Sequence, residues 1–132
     1  QNKNEILYLG NIYSKRDWGH ALDYVEAMWL MLQQNKPDDY VVATGKQYTV
    51  KRFIDLVCKK LNINLKWKGN GLKEVGYWNN KAIIKIDPKY FRPTEVDSLL
   101  GSSKKAKKIL KWKPKYDIHQ LISEMINHQL SK

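Results

Sequence analysis

Three observations predict an α/β fold. A helix-patterned stretch, a continuous apolar run closed by glycine and a second helix-patterned stretch follow one another from His20 to Leu61. The apolar run, Tyr40 to Thr44 (YVVAT), has the character of a strand buried on both faces of a parallel sheet. Short candidate strands occur on either side of this unit, which completes the alternation of strand and helix that defines the class.

The elements are read in order. Ile6 to Leu9 (ILYL), ended by Gly10 and Asn11, predicts a brief strand and a turn. From His20 to Gln34 the apolar positions Ala21, Val25, Met28, Trp29 and Leu32 recur at helical spacing and are expected to face the core, with Asp17 as the upstream cap and Pro37 beyond the end. Thr49 is the expected N-cap of a second helix whose core face is Val50, Phe53, Ile54, Val57 and Leu61. Leu65 to Lys68 and Ala82 to Ile86 predict two more strands, with a Gly- and Asn-containing loop between them. Asp87-Pro88 and Arg92-Pro93 mark a loop, because a residue before proline avoids helix. A short helix around Ala106, Ile109 and Leu110 follows. After Pro114 comes a terminal helix capped by Asp117 with Gln120 three residues on, its core face formed by Ile118, Leu121, Ile122 and Met125.

Composition bounds the function. The chain has 132 residues, 42% of them hydrophobic, with five tryptophans. That apolar content suits one core of ordinary size and argues against disorder. The single cysteine, Cys58, cannot form an internal disulfide and is read as a small core residue. With no signal-peptide layout and no apolar run near the roughly 20 residues that span a bilayer, the chain is expected to be soluble and cytoplasmic, away from membranes. It starts at Gln1 rather than methionine, as expected of a processed or partial product. The formal net charge of +11 calls for an acidic partner, for which nucleic acid, anionic lipid and nucleotide substrates are the classes to weigh. Of the 24 basic residues only Arg16, Arg52 and Arg92 are arginines, and the lysines are scattered.

Two segments concentrate chemistry. KRDWGH, Lys15 to His20, sets two cations, a carboxylate, an indole and an imidazole just before a helix. Arg16 has the planar fork that grips a diphosphate in bidentate fashion, with Lys15 as a supplementary point charge. The plainer reading makes Arg16 and Asp17 solvated turn charges and Trp18 core. In YFRPTEVD, Tyr90 to Asp97, Arg92 suits a diphosphate and Glu95 suits ribose hydroxyls, around a proline that stiffens the loop. Here the plainer reading is a helix start, with Thr94 as cap and Asp97 three residues later.

Together, LGNIYSKRDWGHALDYVEAMWLMLQ, DYVVATGKQYTVKRF, IDPKYFRPTEVDSLLG and KKAKKILKWKPKYDIHQLISEM resemble the GDP-mannose 4,6-dehydratase family of extended short-chain dehydrogenases/reductases. The resemblance covers nearly the whole chain. It implies a C-terminal, substrate-binding part of a Rossmann-type fold spanning residues 1–132, without the N-terminal dinucleotide-binding unit. It also implies that Arg16 and Arg92 hold the GDP diphosphate, that Glu95 contacts the ribose, and that Lys15 contributes less. His20, Asp23 and Trp18 are expected to orient the loop and pack the helix. The parent enzyme implied is a lyase that oxidises C4 of GDP-mannose with NADP, eliminates water across C5 and C6 and returns the hydride to C6, giving GDP-4-keto-6-deoxymannose. Its expected partners are GDP-mannose, the rest of the same enzyme and further copies, in a dimer or tetramer.

Other features depart from that pattern. Gly69, Gly71 and Gly76 lack the G-x-G-x-x-G spacing that cradles a dinucleotide, so NADP is expected to be held outside this chain. Tyr77 and Lys81 match Tyr-x-x-x-Lys, but the chemistry needs both side chains on one helix face, and Asn79-Asn80 predicts a hairpin loop. No catalytic residue is therefore assigned, and the chain alone is expected to be inactive. His20, His119 and His128 are too dispersed for a metal site. Two alternatives remain. One is a nucleic-acid-binding module built on KKAKKILKWKPK, Lys104 to Lys115, with Trp112 among lysines; the other is a stand-alone piece that binds a nucleotide sugar without turnover.

Overall fold

A computed structural model describes residues 5–92, 94 and 96–131. Its elements are β1 (Leu7–Leu9), β2 (Lys15–Arg16), α1 (Ala21–Leu32), β3 (Tyr48–Thr49), α2 (Val50–Lys60), β4 (Lys66–Lys68), β5 (Val75–Trp78), β6 (Lys81–Ile86), α3 (Lys104–Ile109) and α4 (Ile118–Leu130). The chain divides into two compact units. One runs to Ser14 and resumes over Thr49–Asp97; the other comprises Lys15–Tyr48 and the described residues from Ser98 onward.

The first unit is a four-stranded sheet of order β1-β6-β5-β4 with α2. β1 lies parallel to β6, and the other pairs are antiparallel. Thr49 caps α2 as expected, its Oγ1 accepting the Arg52 amide at 3.0 Å. The side chains most deeply buried on α2 are Leu56 and Cys58, and burial pushes the Cys58 thiol pKa up, as suits a small core residue. β5 was expected to be loop. Its sequence, VGYW, carries a glycine where a Cβ would press on Ile84, Leu65 and Trp67 at 3.2–3.3 Å. Close packing therefore requires the residue that weakens the strand signal. Asn79 and Asn80 join β5 to β6 with φ of 49° and 61°, the left-handed pair of a two-residue hairpin turn.

The second unit packs α1 against α3 and the segment after it. Ala27, Ala106, Leu110 and Trp112 form its core, with Tyr24, Leu30, Met31, Tyr40 and Val42 against them. Three expectations change here. The α1 positions Val25, Met28, Trp29 and Leu32 are exposed, at 58%, 59%, 60% and 82%. The buried face carries Asp23 and Ala27 instead. α1 has apolar residues on two sides, so periodicity alone does not choose between them. Tyr40 to Thr44 is not a laddered strand: among the described residues it pairs with none, and only Ala43 of the five is buried. Asp17 does not cap α1; His20 does, its Nδ1 accepting the Leu22 amide at 3.2 Å.

α4 begins with the expected capping box, Asp117 accepting from the His119 and Gln120 amides while Gln120 reciprocates. Ile118 and Ile122 face inward as expected, whereas Met125 is exposed.

Candidate functional site

The residues of KRDWGH divide into those that build the loop and those left on its rim. Asp17 is spent on the backbone: its carboxylate accepts the amides of Thr44 at 3.1 Å and Gly45 at 2.8 Å, and the Thr44 hydroxyl at 2.5 Å. Gly45 has φ +76°, a left-handed turn that suits glycine. His20 is buried at the helix cap. Its Nε2 lies 2.8 Å from Glu124 Oε2, and its ring stacks on Tyr116 with centroids 4.0 Å apart. Asp23, also buried, accepts the amides of Lys115 and Tyr116 at 3.1 Å, and its own carbonyl takes the Trp112 indole N–H at 2.8 Å. A buried carboxylate is stable only with such partners. His20 and Asp23 therefore orient the loop and the helix, in keeping with the role expected of them.

Lys15 and Arg16 stand beside these anchors. Lys15 is exposed, and its carbonyl accepts the Leu99 amide at 3.4 Å. Arg16 is half-buried, and its Nη1 donates to the Lys15 carbonyl at 2.8 Å. Its side chain lines a cleft of about 340 Å³ together with Asp17, Tyr24 and the apolar residues Val41, Val42 and Leu99. Arg16 thus lies on a half-apolar wall next to Asp17, the half-buried carboxylate that ties this loop to the turn at Thr44 and Gly45.

Arg92 belongs to the other unit and is exposed. It follows a 3₁₀ turn, Pro88–Tyr90, capped by Asp87, whose Oδ1 accepts the Lys89 amide at 2.9 Å. Gly10 fixes the approach of this loop, because a Cβ there would lie 2.4 Å from the Tyr90 carbonyl oxygen. Beside it a cleft of about 210 Å³ is lined by Asn11, Ile12, Tyr13, Leu72 and Phe91. No helix starts at Thr94 or Asp97 among the described residues, which removes the helix-cap reading of this segment. Glu95 lies outside the described residues.

A cluster with no sequence signal sits in the same unit. Glu74, buried, accepts from the Tyr13 hydroxyl and from Lys51 Nζ. Lys51 also lies 5.0 Å over the Trp67 ring and 5.5 Å over that of Tyr13. Burial pushes the Glu74 pKa up, but the hydrogen bonds from Lys51 and Tyr13 outweigh it and hold the carboxyl below its ordinary value. The same bond to Glu74 raises the Tyr13 phenol. The partners are 23 and 61 residues from Glu74, so no spacing rule finds them.

Other candidates resolve structurally. Tyr77 and Lys81 sit on successive strands of the β5–β6 hairpin rather than on a helix. Gly69 precedes a 3₁₀ turn that Gly71 begins and Gly76 lies within β5, so none of the three sits in a strand-to-helix phosphate cradle. Trp112 is 2% exposed, so KKAKKILKWKPK presents no stacking ring. No helix among the described residues is long and apolar enough to cross a membrane.

Comparison with known proteins assigns the lineage. The family model of GDP-mannose 4,6 dehydratase matches residues 1–125. The chain is 56% identical over 126 residues to the GDP-mannose 4,6 dehydratase of Dictyostelium discoideum, covering 94% of this chain and 35% of that protein. Against the Drosophila melanogaster enzyme of the same name it is 51% identical over 124 residues, covering 92% and 31%. Among solved structures it resembles RMD from Pseudomonas aeruginosa complexed with NADPH (TM-score 0.73, 18% identity, 98% of this chain and 37% of that one). It also resembles dTDP-glucose 4,6-dehydratase from Bacillus anthracis in complex with NAD (TM-score 0.73, 17% identity, 98% and 36%). The mixed α/β fold is thus that of extended, Rossmann-type short-chain dehydrogenases/reductases. Spanning about a third of the length of the curated relatives it matches, the chain belongs to the GDP-mannose 4,6-dehydratase family.

Proposed function

We propose that this chain is the C-terminal sugar-nucleotide-binding part of a GDP-mannose 4,6-dehydratase, the lyase that converts GDP-mannose to GDP-4-keto-6-deoxymannose. The observation that carries the reading is the family match over residues 1–125, which takes in both KRDWGH and RPTEVD. Arg16 and Arg92 bind the diphosphate, Glu95 accepts from the ribose hydroxyls, and Lys15 adds a weaker, solvated charge. Binding energy from the nucleotide is spent on orienting the hexose. NADP supplies the redox chemistry of the parent enzyme from a site outside this chain. The parent acts in the cytoplasm, on the path to GDP-fucose, as a dimer or tetramer.

The pinned loop supports the assignment, since Asp17, next to Arg16, ties the loop to the Thr44 and Gly45 amides while the Arg16 residue lines the cleft. The full-length protein that contains this chain, supplied with NADP and GDP-mannose, is expected to release the 4-keto product, while the chain alone releases none. A full-length protein that turns over UDP- or dTDP-hexoses and leaves GDP-mannose untouched would refute the substrate assignment.

A further inference from the structure

We propose that the open face of the four-stranded sheet binds single-stranded nucleic acid, gripped by Lys66, Lys68 and Lys85 and stacked on Tyr8 and Tyr77.

One face of this sheet packs on α2. Ile84 is 4% exposed there, Gly76 and Trp67 lie on the same side, and the Trp67 indole N–H donates to Asp55 of α2 at 2.8 Å. Alternation turns the intervening residues to the other side. Tyr8, Lys85, Val75 and Lys68 form one row across all four strands, and Tyr77 and Lys66 belong to the next row. Lys66 and Lys68 are exposed, Tyr8 is 46% exposed, and Lys85 and Tyr77 are half-buried.

The chemistry of this face selects its ligand. The four strands, LYL, KWK, VGYW and KAIIKI, contain no aspartate or glutamate, so nothing on them offsets the lysines. A groove of about 650 Å³ runs beside Lys66, Lys68 and Tyr77 and is bordered by the amides of Asn64, Asn79 and Asn80. Lys68 Nζ lies 5.4 Å from the centre of the Tyr77 ring, which sets a cation and a ring side by side. Cations for phosphates next to rings for bases are the equipment of single-strand binders, and the amides supply donors and acceptors to base edges. The two tyrosines fix the length of the ligand. They are separated by two strand spacings, about 10 Å, and by one row, about 7 Å, so a chain of nucleotides reaches both while a single base does not. A duplex keeps its ring faces stacked internally and cannot offer them.

Lysine on an edge strand also guards against pairing with another chain, which accounts for Lys66 and Lys68 on β4. It does not account for Lys85, which lies on β6 between β1 and β5. The inference rests on this sheet alone and stands apart from the nucleotide-sugar contacts.

The test is fluorescence anisotropy of a labelled oligothymidylate of about 12 nucleotides, within the roughly 4–16 that such surfaces cover, titrated with the full-length protein that contains this chain. Log affinity is expected to fall against log salt with a slope of about −2, from three lysines at about 0.7 per phosphate contact. Lys66→Glu with Lys68→Glu should weaken binding at least about 10-fold, and Tyr77→Ala about 5- to 100-fold. Should Tyr77→Ala not fold, Tyr8→Ala on the edge strand carries the same expectation. Lys107→Gln with Lys108→Gln, in the other unit, should bind as wild type, which separates a site from net charge. Excess GDP should leave the oligonucleotide bound, and the Lys66→Glu, Lys68→Glu protein should bind GDP as wild type does, so this proposal and the nucleotide-sugar reading fail separately. No binding, equal binding of the duplex with oligoadenylate, equal loss in the Lys107 and Lys108 variant, or displacement by GDP would overturn the proposal. So would retention on phosphatidylserine vesicles without oligonucleotide binding, which would make this face a membrane contact.

Discussion

Asp17 binds Gly45 across 28 residues of chain: one carboxylate oxygen takes the Gly45 amide at 2.8 Å while the other takes the Thr44 amide and hydroxyl. The residue expected to start α1 thus ties the Arg16 loop to the turn after Tyr40 to Thr44. Asp17→Asn turns one acceptor into an N–H₂ group facing a donor. The expected cost is about 1–3 kcal/mol for a part-buried amide left without its acceptor. Urea unfolding should show it as a lower midpoint, and a midpoint equal to wild type would remove Asp17 from this role.

Glu74 gives the first unit an acid-sensitive joint. Lys51 and Tyr13 hold the folded carboxyl pKa below its ordinary value against the opposing effect of burial. A depressed carboxyl contributes stability that is present above the unfolded pKa and is lost as pH falls through the folded one. Stability should therefore decline below the ordinary carboxylate range, and Glu74→Gln, costing about 1–3 kcal/mol at neutral pH, should flatten that decline. Equal acid profiles for the two proteins would contradict the assignment.

Trp112 and Trp29 should answer a quencher in opposite ways. Trp112 is buried with its indole N–H on the Asp23 carbonyl, whereas Trp29 is 60% exposed. In variants retaining one tryptophan each, iodide should quench Trp29 strongly and Trp112 hardly at all. Single-stranded oligonucleotide should leave Trp112 emission unchanged; quenching by it would restore the nucleic-acid reading of the lysine-rich run.

The β5–β6 turn should tolerate glycine and reject a branched residue. At Asn80, with φ 61°, glycine is expected to be near neutral. Asn80→Val should cost about 1–2 kcal/mol, the penalty of left-handed backbone for a residue with a Cβ, read by thermal unfolding. A neutral valine would mean that the turn has another conformation.

Much of the fold was legible because local chemistry decided it. Thr49, Asp117 and Gln120 sit at the helix caps that their side chains make favourable, and the two helices they start follow. What was not legible depended on distant partners. The exposed stripe of α1 and its buried face read alike until Trp112, 89 residues from Asp23, selects one. Tyr40 to Thr44 reads as a strand, but a ladder needs a neighbour that no local pattern supplies. β5 was hidden by Gly76, which the packing of Trp67 and Ile84 demands. At the candidate site the cations were legible as residue types in a dense motif. The anchor of their loop was not, because Asp17 acts through backbone amides 27 and 28 residues away.

The nucleotide grip is the central claim, and calorimetric titration of GDP into the full-length protein and its Arg16→Ala and Arg92→Ala variants tests it most directly. A charge-assisted contact to a diphosphate contributes about 1.5–3 kcal/mol, so each variant should bind roughly 10- to 150-fold more weakly. Wild-type GDP affinity in both variants would contradict the account.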